Sequence, residues 1–300
     1  MDNSAEGSLH QTGTGGRRLS LPRLKALPAF KLLRNRQGVA GLLILLPLIL
    51  VALLAPVLPL DDPLKTDIQA GLASPSLEHP LGTDKIGRDI MSRTVSGMQT
   101  SMIVGFSVAL ITLAGGILIG TVSGFFGGRW DRYIMMVTDI FLAFPSLLLA
   151  IALVAIFGAG MLPVIAAISI ADLPRAIRLQ RSLVLSVRSR TFIDAARIVS
   201  APASWLMFRH ILPNTIAPML VSASIVAASA ILTEASLSFL GLGITPPAPS
   251  LGNIIKDGQS YLQQAWWIST LPGLVIFVIA IGLHLLSDGI REVLDPRSKR

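Results

Sequence analysis

The stretch GVAGLLILLPLILVALLAPVL, residues 38–58, contains no charged side chain. A hydrocarbon core about 30 Å thick is crossed by a helix of about 20 apolar residues, so this stretch is long enough to span a bilayer. A secretory signal peptide would place its apolar core close to residue 1, whereas a polar segment precedes this one. Residues 38–58 are therefore predicted to form an uncleaved transmembrane anchor.

The composition extends this prediction to the whole chain. Hydrophobic residues make up 52% of the 300 residues, the mean hydropathy is +0.68, and charged residues make up only 14%, against roughly 25% in soluble proteins. Further apolar stretches lie at about 97–126, 133–157, 161–177, 215–242 and 268–286. The chain is predicted to be an all-α membrane protein with about six transmembrane helices. Because it contains no cysteine, disulfides, thiolate metal sites and cysteine nucleophiles are excluded.

The distribution of basic residues predicts the topology. Of 25 Lys and Arg residues, 20 fall in the segments on the N-terminal side of the membrane and five in the opposite loops. The positive-inside rule then places both termini in the cytoplasm, so the positive charge is explained without nucleic acid. The predicted organisation is a basic cytoplasmic tail with a short surface helix (1–37), the anchor (38–58), an extracytoplasmic loop (59–96), a core (97–290) with a cytoplasmic segment (182–214), and a cytoplasmic tail (291–300).

Within that cytoplasmic segment, FIDAARIVSAPASWLMFRHILPN (192–214) has the pattern of two short helices. Thr191 and Asp194 fit a capping box at the start of the first helix. Ser200 is predicted to cap the second helix, and Pro213 to end it. The apolar side of the second helix consists of Trp205, Leu206, Phe208 and Ile211.

Two interpretations of this segment are open. In one, it is a loop whose arginines set the topology and bind anionic lipid. A topology signal, however, needs neither helix caps nor exposed bulky side chains. Two short helices joined by a tight turn indicate instead an element that docks into a groove of a partner protein.

The motif DAARIVS…HILPN resembles the EAA loop of ATP-binding-cassette (ABC) importer permeases. In that loop, Glu-Ala-Ala is followed by Gly four residues after the second Ala, and then by Leu-Pro. The corresponding residues here are Asp194, Ala195, Ala196, Ser200, Leu212 and Pro213. Asp thus replaces Glu, and Ser replaces Gly at the turn.

Three other stretches are similar to the dipeptide, oligopeptide and nickel permease subfamily. They are HPLGTDKIGRDIMSR (79–93), FLGLGITPPAPSLGN (239–253) and DGIREVLDPR (288–297). Leu251 stands where that subfamily often has Trp. The resemblance covers about residues 30–297.

The resemblance implies a type I ABC importer permease fold and a subunit without chemistry of its own in the bacterial inner membrane. It implies three kinds of partner within the lipid bilayer and at its surfaces: a second homologous permease, two ABC ATPase subunits that bind ATP and Mg²⁺, and an extracytoplasmic solute-binding protein. The chain itself would bind no cofactor. The cargo would be di- or oligopeptides, with a nickel complex or another small solute as the alternative.

The resemblance also implies roles for individual residues. The predicted ATPase-coupling residues are Asp194, Ala195, Ala196, Arg197 and Ser200. The residues predicted to pack the segment onto its own core are Trp205, Leu206, Phe208, Ile211, Leu212 and Pro213.

Three carboxylates fall within predicted spans. A charge at the bilayer centre costs about 2.5–3.5 kcal/mol by insertion scales, so each needs a partner or water. Internal ion pairs are favoured over a substrate path for Asp139 and Asp172, whereas Glu234 is a candidate for the pathway or for the interface with the paired subunit. Neither aspartate has the sequence surroundings of an intramembrane aspartyl protease.

Gly116, Gly120, Gly124 and Gly128 recur every four residues. This spacing predicts a helix face for close packing. The GGRW sequence at its end lacks the Lys and Ser/Thr of a phosphate-binding loop, so a partner must hydrolyse ATP. The alternative from another functional class is a self-contained secondary transporter, which would predict inverted repeats that the two halves do not show. A purely structural scaffold is the third hypothesis.

Overall fold

A computed structural model describes residues 35–294, apart from the side chains of Arg197 and Leu294. Within that range the chain is helical, and its extended pairing is limited to a bridge between Thr83 and Asp89. The predicted surface helix before residue 35 and the tail after residue 294 lie outside the described residues. The helices are α1 (Arg36–Leu54), α2 (Ile90–Phe126), α3 (Gly128–Leu142), α4 (Ser146–Phe157), α5 (Met161–Arg188), α6 (Thr191–Ile198), α7 (Ala203–Leu206), α8 (Leu212–Leu240), α9 (Leu251–Gly258) and α10 (Trp267–Leu294). A π-helical turn, Met207–Ile211, joins α7 to α8, and 3₁₀ turns occupy Ile68–Ala70 and Gln259–Tyr261.

Four helical segments of the described chain are long and apolar enough to cross a membrane: α1, α2, α7 to α8, and α10. The pair α3 and α4 makes a fifth if it is counted as one span. The remaining predicted span, 161–177, lies within α5, whose middle carries Asp172, Arg175 and Arg178. These charges make α5 less apolar than an ordinary lipid-facing span.

The predicted third span, 133–157, consists of two helices and is not one straight helix. The chain bends by 91° between α3 and α4, and Pro145 occupies the N-cap of α4. A proline has no backbone N–H and disfavours the helical conformation of the residue before it, so the helix cannot continue through this point.

The glycine stripe joins α2 to α5. Methyl groups added at Gly116, Gly120 and Gly124 would lie 2.7–2.9 Å from side-chain Cβ atoms of α5, much closer than the normal contact of about 3.5–4.0 Å. The prediction of a close-packing face is confirmed for these three positions. Gly128 faces open space and takes no part.

The loop before α2 and the short helix α9 form one layer at the same end of the bundle. Arg88 Nε donates to Asp84 at 2.5 Å, and its Nη2 donates to Asp257 of α9 at 3.3 Å. The Trp267 indole donates to the Thr83 carbonyl oxygen at 3.2 Å. The polar segments before α2 and after α8 therefore lie on a common side.

Candidate coupling site

The segment between α5 and α8 is a folded unit that begins with α6. The helix starts at Thr191, so Thr191 is its first helical residue and not its N-cap as predicted. Asp194 lies in the first turn, where a carboxylate interacts favourably with the positive end of the helix dipole.

A small apolar core holds this unit to the end of α5. Ile193 and Ile211 are fully buried, and Leu206 is 3% exposed. They pack with Val184 and Val187 in the last turns of α5. The unit is therefore packed directly onto the end of α5.

The turn between α6 and α7 is built on Ser200, which has a left-handed backbone with φ +58°. That conformation costs an L-residue about 1–2 kcal/mol but is freely available to Gly. This explains why the EAA pattern has Gly here. The predicted capping role of Ser200 is wrong, because the N-cap of α7 is Pro202, without a side-chain hydrogen bond.

Pro213 does not end a helix, contrary to the prediction. It lies in the first turn of α8, which continues from α7 through the π turn at Met207–Ile211. The wider π turn changes the hydrogen-bonding register, so the missing N–H of proline falls where the helix can tolerate it.

His210 is a residue that sequence reasoning missed. Its ring lies 4.6 Å from the ring of Trp205 and 5.8 Å from that of Phe192, measured between centroids. These contacts bridge α6 and the π turn. Residues five apart share a face in a π helix but not in an α-helix, and nothing in the sequence signalled a π turn.

The unit also carries apolar side chains that are exposed. Ile198, Val199 and Phe208 are 84%, 77% and 70% exposed, and we call these three residues the outer face. Exposed apolar patches with polar borders mark interaction sites. The predicted inward packing of Phe208 is wrong, because its side chain is exposed.

The other predicted residues divide between the two sides. Asp194, Ala195 and Ser200 are exposed, and Ala196 is partly buried against the core. Among the other residues predicted to pack inward, Trp205 is half exposed, Leu212 is partly buried and Pro213 is exposed. The Arg197 side chain lies outside the described part of the structure.

Gln180, also missed from the sequence, joins three helices just before the unit. The side chain is fully buried. Its Nε2 donates to Thr121 of α2 at 2.8 Å and to Thr215 of α8 at 3.0 Å. The helices that enter and leave the unit, α5 and α8, are thereby fastened to each other and to α2.

The carboxylates singled out in the sequence all have internal partners. Asp139 accepts from Arg178, and Asp172 accepts from Arg175 at 3.3 Å, as predicted. Glu234 is fully buried and accepts from Ser101 at 2.6 Å and from Ser238 at 2.7 Å. Its place on a pathway or subunit interface stays a prediction. Residues 35–294 contain no group of three or more His, Asp or Glu side chains arranged to hold a metal ion.

The segment 191–211 is thus a folded two-helix unit at one end of a bundle of membrane-length helices, with exposed apolar side chains. Residues 116–300 match the model of the family described as binding-protein-dependent transport system inner membrane component. The chain belongs to this family and is an ABC permease of the bacterial inner membrane.

The chain is similar to three named relatives along most of its length. It is 40% identical over 271 residues to a di/tripeptide transport system permease of Pseudomonas aeruginosa, which covers 88% of this chain and 89% of the relative. It is 41% identical over 273 residues to a dipeptide transport system permease of Alkalihalophilus pseudofirmus, with 90% of each chain covered. A glutathione transport system permease of Pectobacterium atrosepticum is 38% identical over 270 residues, again with 90% of each chain covered.

Proposed function

We propose that this chain is the permease subunit of an ATP-driven importer that takes up di- and oligopeptides delivered by an extracytoplasmic binding protein. The observation that carries the proposal is the outer face of the folded unit at 191–211, in a chain of this family. The three relatives above are named for dipeptides, tripeptides and glutathione. Those names support peptides over a nickel complex as the cargo.

The proposed orientation places both termini and residues 182–214 in the cytoplasm. The distribution of Lys and Arg supports it. So does the packing of residues 59–96 with α9, because two loops on one side of a membrane can form a common layer. That layer is then extracytoplasmic and meets the binding protein.

In the proposed assembly, the chain pairs with a second homologous permease and docks onto one of two ABC ATPase subunits. ATP and Mg²⁺ bind to the ATPases, and this chain supplies no cofactor site. The outer face and the exposed start of α6 enter the ATPase groove, with Asp194, Ala195, Ala196, Arg197 and Ser200 as the contact residues.

Rigidity makes the unit suitable for coupling. The buried side chains of Ile193, Leu206 and Ile211 join it to α5, and the bonds of Gln180 join α5 to α2 and α8. A displacement imposed by ATPase closure therefore moves several spans together, because packed helices shift as bodies and do not deform continuously. A self-contained secondary transporter would leave this unit without a role.

Co-purification tests the proposal. The tagged chain is extracted from native membranes in mild detergent, and the bound nucleotide-binding subunit is detected by photolabelling with azido-ATP. Ile198→Asp places a charge on the outer face and is expected to remove the ATPase. The control is Ile68→Asp, because Ile68 is also 84% exposed but lies in the loop before α2.

Two results would contradict the proposal. One is retention of the ATPase by Ile198→Asp and by Phe208→Asp. The other is peptide transport by the purified chain alone in proteoliposomes, which would favour the secondary-transporter hypothesis.

A further inference from the structure

Helix α3 is loosely attached to the rest of the bundle. It packs against α2 and α5, and Thr138 is its one buried residue in the described structure. An open apolar groove separates much of α3 from α5; the lining includes Tyr133, Val137 and Phe141 of α3, and Ile170, Leu173 and Ile177 of α5. Apolar interdigitation therefore does little to fix the position of α3 relative to α5.

Ion pairs provide the main directional contacts between α3 and α5. Arg181 of α5 donates from Nε and Nη2 to the two carboxylate oxygens of Asp131, at 2.5 and 2.7 Å. Ser123 of α2 donates to the same carboxylate at 2.5 Å. One turn earlier on α5, Arg178 pairs with Asp139, further along α3. Two-point guanidinium–carboxylate bonds fix orientation as well as distance.

The location of Arg181 gives this contact a role in movement. It follows Gln180 directly, and it lies one turn before Val184, which belongs to the core of the coupling unit. This turn of α5 is thus adjacent to the core by which the coupling unit is packed onto α5.

We propose that Asp131 and Arg181 form a tie through which movement of the coupling unit is transmitted to α3. The inference rests on the proposed function and deepens it by naming two positioning residues. With the tie intact, α3 follows α5 when the ATPases close. Without it, α5 still moves with the coupling unit, but α3 is held to α5 only by the more exposed Arg178–Asp139 pair, which restrains it less than the two-point bond of Arg181 does.

Distance measurements between α3 and α5 test the tie directly. The chain has no cysteine, so cysteines introduced at Met136 and Leu185, both exposed, carry the only spin labels on this subunit. Distances are measured by pulsed electron resonance in the full transporter, both nucleotide-free and trapped with ATP and vanadate.

The expected result is one narrow distance distribution in both states of the parent and a broadened or two-component distribution in trapped Arg181→Gln. Transport of labelled dialanine per ATP hydrolysed should fall about fivefold or more, the usual scale of coupling between sites. The double variant Asp131→Arg with Arg181→Asp exchanges the two charges, and it should bring the distance distribution and the transport per ATP back towards those of the parent.

The matched control is Arg132→Gln, which removes a charge next to Asp131 from a side chain that has no ion pair among the described residues. It should leave both readouts unchanged. Unchanged distances and transport per ATP in Arg181→Gln would overturn the tie, as would equal effects of Arg132→Gln. A parent complex without a bound ATPase would overturn the proposed function itself.

Discussion

Replacement of Gly120 by Ala tests the close packing that joins α2 to α5. The added methyl group would lie 2.7 Å from Gln180 Cβ and 2.7 Å from the Ile177 carbonyl oxygen. Carbon atoms pack best at about 3.5–4.0 Å, so the two helices must separate locally by roughly 0.8–1 Å.

The cost follows from that separation. Overpacking of this kind costs about 1–3 kcal/mol. The same movement lengthens the 2.8 Å bond from Gln180 to Thr121 beyond useful hydrogen-bond distance, a loss of about 0.5–1.5 kcal/mol. Ala favours the helix over Gly by about 1 kcal/mol, which offsets part of this cost. We expect Gly120→Ala to lower the free energy of unfolding by about 1–3 kcal/mol, and Gly120→Leu to lower it further.

The control is Gly273→Ala in α10, where an added methyl group would lie 4.0 Å from its nearest neighbour, Ile255 Cδ1. It should be neutral or slightly stabilising. Both variants are measured by unfolding of the purified chain with SDS in mixed micelles, monitored by tryptophan fluorescence. Equal stability of Gly120→Ala and Gly273→Ala would refute the close packing of α2 on α5.

Three further substitutions test the coupling unit and the bundle, with the same unfolding measurement. Ser200→Gly should raise the free energy of unfolding by up to about 1 kcal/mol, because glycine relieves the left-handed strain; a less stable variant would contradict the turn geometry. Ile193→Ala should lower it by about 2–5 kcal/mol by leaving a cavity, whereas Ile198→Ala, on the exposed outer face, should change it little but weaken ATPase binding. Equal stability of those two variants would contradict the burial of Ile193. Glu234→Ala leaves the buried hydroxyls of Ser101 and Ser238 without their acceptor, and each lost partner lowers the free energy of unfolding by about 1–3 kcal/mol. Glu234→Gln keeps one acceptor oxygen, so it should be more stable than Glu234→Ala. The opposite order of stability would refute these hydrogen bonds.

The sequence alone determined the class of the protein and much of its periodic structure. The free energy of transfer from water to lipid is a sum over individual residues. The uncharged stretch 38–58 and the later apolar stretches therefore predict membrane helices without knowledge of any tertiary contact. The i, i+4 spacing of Gly116, Gly120 and Gly124 predicts one helix face in the same local way. The EAA-like residues 194–213 indicated the coupling unit because that motif is contiguous.

Tertiary structure decided which distant residues meet. Arg181 lies 50 residues from Asp131, and Ser101 lies 133 residues from Glu234, so neither pair follows from local spacing. The π turn likewise brings the ring of His210 against that of Trp205, five residues earlier, a contact that α-helical spacing does not predict. Contacts between helices depend on the register in which their faces pack, and a one-dimensional pattern of polarity does not contain that register.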